Sequence, residues 1–303
     1  MGPVESAADQ ARSNYYIGVN DSSVTAWSTA LIPFQPKDWL LVFQKQLKAS
    51  ISELSPVNGK ILRASYRSAR SLTRENADLE NLLIYNVLGD TLNAVTRNGL
   101  VFERLYEIPR DCPVQLSSPA LHKYEYGLMD DRLSPIEEQE ETRLATLSFK
   151  LSASALGSCA GVWYAAKMGD VTLERTSHED KRWGISITMD APSSPVIACS
   201  KIVKHLVDGI ASALHCHDGS DIDHLSEQLS KNPGLCDAMS SKSLLMDCSH
   251  ALFGSWKLLY GYRESSGVKW NPKDEYCTYC AIRCRYGLIE NGLKITALVF
   301  DTG

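Results

Sequence analysis

The sequence predicts an α+β fold in two sub-domains, each a mixed or mostly antiparallel sheet packed by helices. Three observations carry this expectation. Short runs rich in β-branched and aromatic residues recur along the whole chain. Apolar residues at helical spacing are confined to a few segments between those runs. The stretch 129–141, MDDRLSPIEEQEE, holds six carboxylates and one arginine, the composition of a solvated linker or surface loop. It divides the chain into an N-terminal α+β domain at 1–128 and a C-terminal α+β domain at 142–303.

The first clear element is a strand at 24–33, VTAWSTALIP. Pro36 then opens a helix on which Leu40, Phe43, Leu47, Ile51 and Leu54 fall at helical spacing, and Pro56 and Gly59 end it. Residues 60–67, 82–87 and 100–106 read as three further strands. In the second half, 143–151 and 161–165 read as strands, the latter turning through Met168-Gly169-Asp170 into a hairpin partner at 171–175. Residues 184–190 form another strand. Past Pro192 and Pro195 comes a long helix, 197–217, with Ile202, Leu206, Ile210, Ala213, Leu214 and His217 on one side. Two shorter helices and the strands 276–289 and 293–300 complete the pattern.

Two pairs of segments raise the question of an internal duplication. A strand, a proline-bearing turn and a helix start occur at 30–39 and at 187–196, and an Asn and acidic cluster precedes a late strand at 76–87 and at 271–282.

Composition narrows the function classes. With 303 residues, 44% of them apolar, the chain can bury a sizeable core. No uncharged apolar run approaches the roughly 18 residues that span a bilayer, and the first residues lack a basic and then apolar signal region. The expectation is a soluble, cytoplasmic protein without a membrane partner. Nine cysteines, an odd count without a secretory signal, read as reduced thiols and not as a disulfide framework. A net charge of −5 argues against a surface devoted throughout to nucleic acid, so contacts with one must be local.

The densest chemistry lies at 215–224, HCHDGSDIDH. One reading needs no ligand: Gly219 ends the long helix and Ser220 caps the next, with Asp223 completing a capping box. The segment also resembles the Gly-Ser and Asp-x-Asp elements of nucleotidyltransferases. On a helix, however, Asp221 and Asp223 point about 200° apart and cannot share a metal. The remaining reading is a divalent metal held by His215, His217 and His224.

Cys277, Cys280 and Cys284 have the spacing of a thiolate metal site, but on a strand Cys277 faces away from the other two. Gly157-x-Cys159-x-Gly161 matches the outline of a nucleophile elbow, although the residues after it read as a hairpin and not as the helix an elbow requires. Lys60, Arg63, Arg67, Arg70 and Arg74 recur at spacings of three and four, a local basic patch suited to phosphate groups. The leading expectation is therefore a binding or assembly component that contacts nucleic acid, or another phosphate-bearing or protein partner, through this patch. The alternative is a metal-dependent hydrolase or nuclease built on the histidine segment.

Overall fold

The computed structural model describes residues 14–55, 59–69, 78–87, 89–130, 142–232, 235–262 and 267–303, the side chains of 89–90 excepted. The chain divides into two compact units, Met1–Leu133 with Ala198–Lys201, and Ser134–Ile197 with Ile202–Gly303. The fold is α+β.

In the first unit, β1 (Tyr15–Asn20) and β2 (Ser23–Ser28) form a hairpin closed by Asp21 and Ser22, with Asn20 opposite Ser23. Helix α1 (Asp38–Ser52) buries Phe43, Leu47 and Ile51, one residue per turn, which is the apolar stripe its sequence shows. Strand β3 (Lys60–Ser68) lies between β4 (Gly99–Leu105), which runs parallel to it, and β5 (His122–Asp130), which is antiparallel to both β3 and β2. The strand order is β1-β2-β5-β3-β4.

A parallel pair needs a crossover, and the β3 to β4 crossover corrects the strand expected at 82–87. Asn81–Tyr85 is a π-helical turn, followed by a 3-10 helix at Gly89–Asn93. Leu79, Leu82, Leu83, Ile84 and Val87 are all buried. A run apolar on every side has no period to separate strand from buried helix, which explains the misreading.

The core of this unit is aromatic. Tyr15 stacks on Phe43 at 4.6 Å, Phe43 meets Tyr124 edge-on at 6.2 Å, and Tyr66 lies 5.1 Å from Tyr124. Each buried hydroxyl has a partner, as buried tyrosines require. Tyr124 Oη accepts from the Ile32 N–H (3.1 Å), Tyr126 Oη donates to the Leu83 carbonyl (3.0 Å), and Tyr66 Oη shares a hydrogen bond with His122 Nδ1 (2.6 Å).

The second unit opens with β6 (Arg143–Leu151) and then α2 (Cys159–Lys167), where a strand and hairpin were expected at 161–165. The Ser158 hydroxyl caps α2 by accepting from the Gly161 N–H at 3.1 Å, and Ala160, Val162, Trp163 and Ala166 are buried. The cap and the buried stripe outweigh the strand-like composition of Val162-Trp163-Tyr164. Strand β7 (Asp170–Leu173) returns along β6, and β8 (Trp183–Ala191) follows.

Helix α3 (Cys199–Ala213) is shorter than the 197–217 expected. After it, β9 (Cys216–His217) pairs in parallel with β10 (Ser255–Trp256). The backbone N–H groups of Cys216 and Asp218, bonded to Gly254 and Trp256, draw the chain out of the helix. Gly209 lets α3 pass close to α2: a Cβ there would sit 2.6 Å from Val162 Cβ.

Helices α4 (Ile222–Ser230) and α5 (Ala238–Met246) and the small pair β11 (Leu259–Gly261) and β12 (Val268–Trp270) lead to β13 (Cys277–Tyr286) and β14 (Leu293–Asp301). The strand order is β13-β8-β14-β6-β7, with β13 parallel to β8 and the other pairs antiparallel. Period-two alternation places Ile185, Ile187 and Met189 of β8, Ile295, Ala297 and Val299 of β14, and Leu147 and Phe149 of β6 on one buried face. Among the described residues no helix is long and apolar enough to cross a membrane.

Candidate functional site

The basic patch of the first unit is locally neutralised. Arg63 and Arg67 alternate with Ser65 on one face of β3. Arg63 Nη2 meets Glu103 at 2.5 Å, Arg67 Nε meets Glu125 at 3.2 Å and its Nη1 meets Glu107. Lys60 pairs with Asp130 at 2.9 Å. Arg70 and Arg74 lie outside the described residues. The lattice continues through Lys123, which contacts Asp111 at 2.5 Å and Glu125 at 3.0 Å beneath the Trp27 ring. A phosphate arriving at this face must displace carboxylates already in place.

The histidine segment is arranged around backbone groups. His215 is buried, with Nδ1 3.2 Å from the Gly254 carbonyl and Nε2 2.9 Å from the Pro272 carbonyl, so both ring nitrogens face acceptors. Burial pushes its pKa down to about 4 against the pull of those two carbonyls. His217 is also buried, and its Nδ1 accepts from the Gly219 N–H at 3.0 Å. Burial lowers its pKa too, opposed first by Asp218. His224 stands on the exposed side of α4.

Among the described residues the three imidazoles do not form a group whose ligand atoms could share an ion. Gly219 adopts the left-handed conformation expected of it, with φ +88°, but Ser220 does not cap α4. Its N–H and hydroxyl both donate to Asp218 Oδ1, at 2.9 and 2.6 Å, closing a local turn.

The two cysteine motifs resolve similarly. Cys277 and Cys280 are buried and Cys284 half-buried on β13, none of them in a disulfide, with no metal-ligand group formed by them among the described residues. Cys159 opens α2, so the strand, turn and helix of an elbow are all present. Burial, with Asp208 next, nevertheless pushes its thiol pKa well up and keeps the proton on sulfur. A nucleophile needs the opposite.

The feature that motif reading missed is in the second unit. A cleft of about 1,100 Å³ runs along the end of β6 and the following turn to α2. Lys150 and Lys294, Ser152, Ser154 and Ser158, and Tyr164 supply most of its polar lining. Lys150 and Lys294 are exposed and stand directly opposite each other on the antiparallel β6 and β14 pair. Directly opposed like charges destabilise a sheet; Asp190 lies opposite Lys294 on its other side and Asp170 lines the cleft, but among the described residues neither ammonium is within ion-pair distance of a carboxylate.

The same outward face carries Thr188, Thr296 and Ser148 in one cross-strand row, and Arg285 beside Asp190 at 2.6 Å. Each lysine interrupts an apolar strand, as in Phe-Lys-Leu and Leu-Lys-Ile, which is a signal for an open face. Only the register shows that the two meet.

Fold and site together describe an α+β protein with an open polar sheet face and a cleft edged by Lys150, Lys294 and Asp170. Comparison with protein-family models, curated proteins and solved structures found no match.

Proposed function

We propose that the protein is a binding component that engages a phosphate-bearing partner, with nucleic acid the first polymer to test, through the cleft and open face of the second unit. The observation that supports this reading is the opposed pair Lys150 and Lys294, two exposed cations that the register sets side by side and that form no ion pair with a described carboxylate, although Asp190 lies across from Lys294. Serine and threonine hydroxyls around them add donors suited to phosphate oxygens. The arginine patch of the first unit contributes less, because Lys60, Arg63 and Arg67 already have acidic partners. The metal-dependent alternative has no comparable support, since both nitrogens of His215 face carbonyl oxygens.

The test is a gel-shift series with labelled single-stranded DNA, duplex DNA and RNA at two salt concentrations, with and without manganese. The expected result is salt-sensitive binding that the double variant Lys150→Glu, Lys294→Glu weakens by about tenfold or more. Loss only on reversing Arg67 and Arg70 would move the contact to the first unit. The absence of any shift would remove nucleic acid, and metal-dependent cleavage would return attention to the histidine segment.

A further inference from the structure

A second cavity of the same unit, of about 570 Å³, lies between the turn that joins β7 to β8 and the end of β14. Four of its residues matter here: Arg175, His178 and Lys181 from the turn, and Asp301 from the strand. His178 is 3% exposed and firmly placed, its backbone N–H donating to the Leu252 carbonyl at 2.7 Å and its Nε2–H to the Arg182 carbonyl at 2.9 Å. That second bond leaves the lone pair of the neutral ring on Nδ1. Nδ1 has no hydrogen-bond partner among the described residues and sits 4.0 Å from Asp301 Oδ2, too far for a bond. The other Asp301 oxygen is engaged, accepting the Gly303 N–H at 2.8 Å.

In the neutral ring Nδ1 is an acceptor, so it and Asp301 face each other with no described donor between them. On the wall of the same cavity, Arg175 and Lys181 make no ion pair with any described residue. The cations rule against a metal ion as the missing partner. A bare anion would satisfy Arg175 and Lys181 but would meet the Asp301 carboxylate with nothing to donate.

We propose that this cavity binds a small molecule carrying both an anionic group and a hydroxyl or ammonium donor. The anion lies on Arg175 and Lys181, and the donor bridges His178 Nδ1 and Asp301. The site is independent of the lysine cleft, and the variants that empty one leave the other intact.

Calorimetric titration with glycerol 1-phosphate, sulfate (a bare anion with no proton to donate) and glycerol tests it. Glycerol 1-phosphate is expected to bind roughly tenfold or more tighter than sulfate, the worth of one to two hydrogen bonds, and glycerol alone not at all. The double variant Arg175→Ala, Lys181→Ala should abolish both anion signals. His178→Gln should erase the preference for the ester while leaving sulfate bound. Because His178 is buried, Asp301→Ala, at a more exposed position, repeats the test with the melting temperature as the check on folding. Equal affinity for the two anions would mean an adventitious ion only and would overturn the proposal, as would binding that survives loss of both cations or no binding by any probe.

Discussion

The two units share a strand plan and differ in what their open faces carry. In the first, β2, β5, β3 and β4 lie side by side, and in the second β6, β14, β8 and β13 do, with the same senses: antiparallel, antiparallel, then parallel. In both, a helix follows the first strand of this kernel, and in both an extra antiparallel strand flanks it. That strand, β1, comes before β2 in the chain, whereas β7 comes after β6 and α2. The crossover to the parallel strand occupies 69–98 in the first unit and 192–276 in the second, where it has gained three helices.

The faces then diverge. Arg63, Arg67 and Lys123 are each matched to carboxylates, while Lys150 and Lys294 oppose one another. The difference teaches that one scaffold can present charge in two ways: cations closed by ion pairs finish a surface, and lysines set side by side leave it charged.

The largest expected effect tests the kernel itself. Phe43 and Trp163 are the fully buried aromatic residues of α1 and α2, the helices that follow the first kernel strand of each unit. Phe43→Ala and Trp163→Ala should each cost about 3–5 kcal/mol in urea unfolding. A loss well under 1 kcal/mol in one but not the other would break the equivalence of the two helices.

Acid should act next, on one buried histidine per unit. Burial lowers the pKa of both His122 and His215 to about 4. Below an unfolded value near 6.5 the unfolded chain takes the proton and the folded chain does not. Their stabilisation is therefore complete above about pH 6.5 and is lost as pH falls towards 4, by about 3 kcal/mol for each at the limit. His122→Gln and His215→Gln should each flatten the fall of stability between pH 7 and pH 4.5. An unchanged slope in either variant would show that its imidazole is solvated.

The smallest effect carries the sign that separates the faces. Arg63→Glu places a carboxylate beside Glu103 and should lower stability by up to about 1 kcal/mol. Lys150→Glu sets a carboxylate opposite Lys294, away from Asp190, and should raise it by a few tenths. Thermal melts at low salt resolve the two signs, and a destabilising Lys150→Glu would remove the argument that this pair is strained.

The fold class was legible because strands such as 143–151 and 184–190 alternate cleanly, and the α1 stripe is strongly periodic. The failures have local causes. Residues 82–87 are apolar on every side, and the helix at Cys159–Lys167 depends on a cap that its neighbours disguise. Of the paired sequence segments, 271–282 runs into the parallel strand β13, whereas 76–87 contains the π-helical turn Asn81–Tyr85 and ends before β4 begins. The other pair, 30–39 and 187–196, follows strands that are not equivalent. The histidine segment attracted attention by density, yet density along the chain says nothing of where ring nitrogens point. Lys150 and Lys294, and likewise His178 and Asp301, are distant in sequence, and only strand register or chain closure unites them.

The buried phenols of the first unit also provide an optical clock. Burial pushes the pKa values of Tyr66, Tyr124 and Tyr126 up. In an alkaline titration followed by ultraviolet absorbance, these three stay silent through the range in which a solvated phenol ionises. Their delayed tyrosinate signal would then mark the opening of the first unit alone, with no label attached.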